Sequence, residues 1–238
     1  MPRNIAIFGA GPGLGRSVAL RFGREGFRVA LVARRRDRLD ALTAELAGQG
    51  TEAAAWPADL LDRDALPALA DAIAARLGPV DVLAYAPAGV DAVRMQRGVL
   101  DADVASFEAP LDLLLRSPVT LVRHLVPGMI ERGDGAVLFG LPVSASRPVP
   151  QLGNVATATV AARGYLRNLH AALAGTGVYA GLLQVGGLVG GSEAARYFTE
   201  RHDPAELPDP LDPADLADAC WDLFRRRDRF EVTVEPPG

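Results

Sequence analysis

Short apolar runs alternate along the chain with amphipathic stretches. The apolar runs fall at 5–8, 27–33, 53–55, 80–86, 136–140, 178–185 and 230–234, and helical patterns lie between them at 14–23, 36–47, 63–77, 104–132, 155–174 and 213–227. Strands that are apolar at successive positions are covered on both faces, so this pattern predicts a parallel sheet with helices above and below. Right-handed crossovers then give an α/β fold in one domain: a doubly wound, seven-stranded parallel sheet in a three-layer α/β/α arrangement. One stretch breaks the alternation. Residues 186–212 are rich in Gly and Pro and precede a helix begun by Asp212-Pro213. A connection that long inside a compact domain is expected to be a substrate lid or a mobile loop.

Composition narrows the function classes. A chain of 238 residues with net charge −4 and no basic stripe does not suit nucleic acid as its main partner. The apolar stretches are short and interrupted by Arg, Pro or Gly, so no membrane span is expected, and Met1-Pro2-Arg3 runs straight into a strand without a signal peptide. A single cysteine, Cys220, excludes an internal disulfide and fits a reducing, cytoplasmic compartment. No His, Cys or acidic cluster has metal-ligand spacing. All 25 basic residues are arginine, which closes any mechanism needing a lysine amine.

The first apolar run passes directly into Gly9-Ala10-Gly11-Pro12-Gly13-Leu14-Gly15 and then into a helical pattern. A helix N-terminus leaves backbone N–H groups unpaired and carries partial positive charge, so it attracts phosphate. Glycines admit a pyrophosphate where a Cβ would collide. The loop therefore predicts dinucleotide binding through Gly9, Gly13, Leu14 and Gly15, set against a merely structural glycine turn. The second run continues into Arg34-Arg35-Arg36, with no acid before Asp37. An acid there would suit the ribose 2′-hydroxyl of NAD, whereas a guanidinium fork suits a 2′-phosphate. Arg34 and Arg35 thus point to NADP(H) over NAD(H), and Arg36 and Arg38 are expected to be solvated charges.

In these residues the chain resembles the short-chain dehydrogenase/reductase family, over nearly its whole length. Gly9, Gly13 and Gly15 match the family's Gly-x-x-x-Gly-x-Gly, with Phe8 where threonine is usual. Ala58-Asp59-Leu60 resembles the pair whose Asp meets the adenine amine, and Asp81 to Gly89 is similar to a segment that ends Asn-Asn-Ala-Gly, here without the asparagines. The resemblance implies a Rossmann-like fold and adds Asp59, Leu60, Ala86 and Gly89 to the cofactor-binding set. It also implies a homodimer or homotetramer through the fourth and fifth helices. Their apolar faces include Leu121, Leu125, Leu166 and Leu169, which otherwise read as internal core.

The catalytic half departs from the family. Carbonyl-reducing members use a Tyr-x-x-x-Lys pair on the fifth helix and a serine after the fifth strand. Ungapped alignment puts Val155 and Thr159 at the pair, Pro142 at the serine and Leu114 near the family's helix-four asparagine. Sliding by one turn offers Thr159 and Arg163, with Ser146, and restores nothing. A positioned general acid contributes roughly 10²–10⁴ in rate, so reduction needs another acid, an undemanding substrate or another reaction. Substitute candidates are Tyr85 at the end of the fourth strand, Ser144 and Ser146 after the fifth, and Arg163. Each also reads as a packing, loop or anion-binding residue. Three functions stay open: an NADP(H)-dependent oxidoreductase on a small carbonyl or enone substrate, a non-redox dehydration or cyclisation enzyme, and a catalytically silent sensor or partner subunit.

Overall fold

The computed structural model describes residues 2–87, 93–203 and 207–236. Strands β1 (Asn4–Phe8), β2 (Arg28–Ala33), β3 (Ala53–Pro57), β4 (Val82–Tyr85), β5 (Gly135–Pro142), β6 (Val178–Val185) and β7 (Glu231–Val234) pair in the order β3-β2-β1-β4-β5-β6-β7. Every pairing is parallel. Chain order reverses between β1 and β4, and a doubly wound sheet binds its ligand outside the carboxyl ends of the strands at such a switch point.

Side chains alternate across the sheet. Phe8, Tyr85 and Phe139 point into one buried layer, under α3 (Leu66–Leu77), α4 (Ser117–Glu131) and α5 (Gly153–Ala172). Ile7, Leu31 and Leu138 point into the other, under α1 (Leu14–Arg24) and α2 (Arg36–Gly48). The predicted three-layer, seven-stranded fold is the one observed.

Three stretches differ from the pattern-based expectation. The fourth predicted helix is a succession: a 3₁₀ turn (Val104–Phe107), an α turn (Glu108–Leu111), a π turn (Asp112–Arg116) and only then α4. Pro110 and Pro118 each remove a ladder donor, and the winding changes pitch between them. The third predicted helix opens with a 3₁₀ turn, Arg63–Ala65, before α3. The segment 186–212 carries a helix of its own, α6 (Glu193–Thr199), capped by the Ser192 hydroxyl, which accepts from the Ala195 amide at 3.0 Å. The last helix, α7 (Pro213–Arg226), buries Cys220 against the sheet, and burial pushes its thiol up to about 12.

Candidate cofactor cleft and catalytic edge

The glycine loop is built by close approach. Gly9 leaves β1 at φ +107°, where a Cβ would lie 2.5 Å from the Ala86 carbonyl oxygen. The Gly9 and Ala10 amides donate to the Val32 carbonyl at 2.9 and 3.0 Å, pinning the loop to β2. A Cβ on Gly15 would lie 2.2 Å from the Gly9 oxygen, so α1 starts this close to the strand end only because residue 15 is glycine. The Arg16 and Ser17 amides donate back to Gly11 and Gly13, so those of Leu14 and Gly15 precede the first helical bonds. The Leu14 side chain is buried, and a Cβ on Gly140 of β5 would lie 2.8 Å from its Cδ2. What Leu14 can offer a ligand is its backbone.

A cleft of about 480 Å³ opens at the switch point, walled by residues 9–12, Arg34, Arg35, Asp59 and Leu60. The structure brings Gly9, both arginines and the Asp59-Leu60 pair together around one cleft. Asp59 fixes its own turn by accepting from the Leu61 amide at 3.0 Å. Leu60 is buried, and its carbonyl accepts from the Ser117 hydroxyl at 2.6 Å. Arg35 pairs with Asp37 at 2.7 Å and holds that carboxyl below its usual range. Ala86, the residue after β4, backs Gly9, and Gly89 lies outside the described residues.

One arginine needs correction. Arg38, expected to be a solvated charge, lines the cleft and pairs with Glu193 on α6. Arg36 meets the expectation: it is exposed, with Asp40 at 3.9 Å. The signal for Arg38 was its place one turn into α2, on the side from which Arg35 reaches the cleft. The signal for Glu193 was absent, because nothing in the sequence says where a loop-borne helix docks.

The catalytic candidates do not converge. Tyr85 is fully buried, tilted against Phe139, and its hydroxyl donates to the Leu113 carbonyl inside the π turn. Burial drives that hydroxyl well above the ordinary tyrosine value. This corrects its reading as the substitute acid: the residue is core. Ser144 is buried with its hydroxyl 3.2 Å from that of Thr159. Ser146 donates to Gln184 Oε1 at 2.6 Å, Gln184 Nε2 donates to Glu231 Oε2 at 3.2 Å, and Arg163 grips the same carboxylate at 2.8 and 2.7 Å. Arg163 is thus committed to β7 rather than to a ribose or phosphate, a second correction.

Val155 and Thr159, at the family's pair positions, share one buried face of α5 four residues apart. Just before them, Asn154 is fully buried. Its Oδ1 accepts from the Arg97 amide at 2.9 Å, and its Nδ2 donates to the Met95 and Ser106 carbonyls at 2.8 Å each. This residue fastens the segment after β4 across the start of α5. Among the described residues no group of three His, Cys, Asp or Glu side chains is placed to hold a metal ion, and no helix is long and apolar enough to cross a membrane.

The comparisons agree with this geometry. A family model described as short chain dehydrogenase matches residues 3–199. Glycine betaine reductase ATRR of Emericella nidulans is 31% identical over 97% of this chain, which covers 18% of that protein. NADP-dependent 3-hydroxy acid dehydrogenase YdfG of Salmonella typhi is 30% identical over 91% of this chain and 87% of its own length. The chain spans 18%, 59% and 46% of three curated relatives it matches. Among solved structures, a metagenomic short-chain oxidoreductase in complex with NADP superposes with a TM-score of 0.80 at 24% identity, over 99% of this chain and 98% of that one. The glycine cradle, the strand order and a family match running from β1 into α6 lead to one conclusion: the chain belongs to the short chain dehydrogenase family, a family of oxidoreductases.

Proposed function

We propose that this chain binds NADP(H) in preference to NAD(H) and acts as an oxidoreductase on a small carbonyl or enone substrate with a non-standard catalytic set. The observation that carries the reading is the convergence of Arg34, Arg35 and Arg38 on the cleft that also takes the glycine loop and Asp59. A guanidinium offers a phosphate two parallel N–H bonds and keeps its charge at any physiological pH. The leading amides of α1 suit the pyrophosphate, and Asp59 suits the adenine amine. Bound there, NADP(H) supplies hydride chemistry. The chain's own part is to bind and orient the nucleotide and the substrate. Because Tyr85 is sealed in the core, an enone fits better than a simple ketone: its reduced form is an enolate that takes a proton from water. Residues 186–212 serve as the substrate lid in this reading. Two or four copies pair through α4 and α5, where Ile130 and Val160 are exposed, and the buried single thiol suits the cytoplasm.

A second reading, a nucleotide-binding protein without turnover, is favoured by the internal partners of Tyr85, Ser144, Ser146 and Arg163. Titration with NADP(H) and NAD(H), followed by the nicotinamide absorbance with a panel of ketones and enones, separates the two. Enone-dependent oxidation of NADPH supports the first reading. Tight binding without turnover supports the second, and no nucleotide binding overturns both in favour of a non-redox role.

A further inference from the structure

Arg38 and Glu193 both line the cofactor cleft, and their ion pair joins α2 to the first residue of α6. Their side chains are 31% and 22% exposed, so the pair is partly shielded from water. The same lid segment rests on the glycine loop. A Cβ on Gly13 would lie 3.1 Å from Ser192 Cβ and 3.2 Å from Val189 Cγ1. Arg38 also forms part of a second, smaller cavity that Arg196 of α6 lines, so one guanidinium stands where α2, the glycine loop and the lid meet. A carboxylate in this position is unexpected in a cleft with three arginines, because it competes with any anionic ligand for the same donors.

We propose that Glu193 sets cofactor selectivity from the lid: its carboxylate holds Arg38 in place of a ribose 2′-phosphate, so a 2′-phosphorylated nucleotide displaces it and frees α6, whereas an unphosphorylated nucleotide leaves the pair closed. The inference rests on the NADP(H) reading. Linkage makes the effect reciprocal, since whatever the phosphate spends in breaking the pair returns as affinity when the pair is already broken.

The test uses adenosine 2′,5′-bisphosphate and 5′-AMP as probes, with calorimetry on the parent chain and on Glu193→Gln. Neutralising the carboxylate is expected to tighten the bisphosphate roughly five- to tenfold and to move 5′-AMP by less than about twofold. In the unaltered parent, the bisphosphate is expected to speed amide exchange across Glu193–Thr199 and 5′-AMP is not. Equal shifts for the two probes in Glu193→Gln, or exchange on α6 that slows with the bisphosphate, overturn the inference. If the parent prefers the bisphosphate and the variant keeps the same ratio, this inference falls and the NADP(H) reading stands. If neither chain distinguishes the probes, both fall.

Discussion

Arg163 on α5 and Glu231 on β7 meet through two parallel hydrogen bonds, at 2.8 and 2.7 Å, and lock the edge strand of the sheet to a central helix. Both side chains are about three-quarters buried. Arg163→Ala is therefore expected to cost about 1–3 kcal/mol of stability, through the loss of charge-assisted bonds, while leaving nucleotide affinity unchanged. Thermal unfolding and nucleotide titration on the same variant check both halves.

That pair also predicts a pH dependence. The hydrogen bonds from Arg163 hold the Glu231 carboxyl below its ordinary value of 4.5. A carboxyl depressed by folding contributes stability that is present above its unfolded pKa and lost as pH falls through the folded one. The stability difference between the parent and Glu231→Gln should hold from neutrality down to about pH 4.5 and shrink below it. Denaturant midpoints measured across pH 3–7 would show it.

Tyr85→Phe removes a hydroxyl whose partners, the Leu113 carbonyl and the Ser117 side chain, both belong to the protein interior. The variant should lose about 1–2 kcal/mol, since the Leu113 oxygen is left without that donor, and any turnover should be untouched. A large fall in rate at unchanged stability would return Tyr85 to the catalytic set.

Gly15→Ala places a Cβ 2.2 Å from the Gly9 oxygen, a backbone atom that cannot swing aside. The start of α1 must move, so nucleotide affinity should fall at least about tenfold, together with a loss of stability of about 1–3 kcal/mol. Arg34→Ala should instead weaken NADP(H), but not NAD(H), by roughly ten- to hundredfold.

Val160 is 54% exposed on α5. If copies pair through this helix, Val160→Glu buries a charge at the interface and shifts the chain to monomer, with its circular dichroism spectrum intact. Sedimentation velocity reads the result directly.

Periodicity carried most of the architecture. The run at 178–185 reads as a strand to the residue, because it is apolar but for Gln184 and framed by Gly177 and Gly186. Gly9 and Gly15 were legible for the same local reason, each being needed where backbone meets backbone. Tyr85 was not. Its position at a strand's carboxyl end is shared by core and catalytic tyrosines alike, and what separates them is a carbonyl in a π turn 28 positions away. Arg38 and Arg163 failed for a similar reason: a guanidinium's partner, Glu193 or Glu231, lies on an element whose docking is long-range. The pitch changes before α4 left a readable trace in Pro110 and Pro118, which a search for apolar period passes over.

The sealed thiol of Cys220 has a practical consequence. Burial leaves Cys220 5% exposed and pushes its thiol up to about 12, so this cysteine is expected to react with an alkylating reagent chiefly when α7 lifts from the sheet, and its labelling rate is a clock for that opening. Because the sequence holds one cysteine, a second placed on an exposed site such as Thr199 becomes the sole fast-reacting thiol without removal of any native residue. Lid motion can then be followed with a single dye on an otherwise unaltered chain.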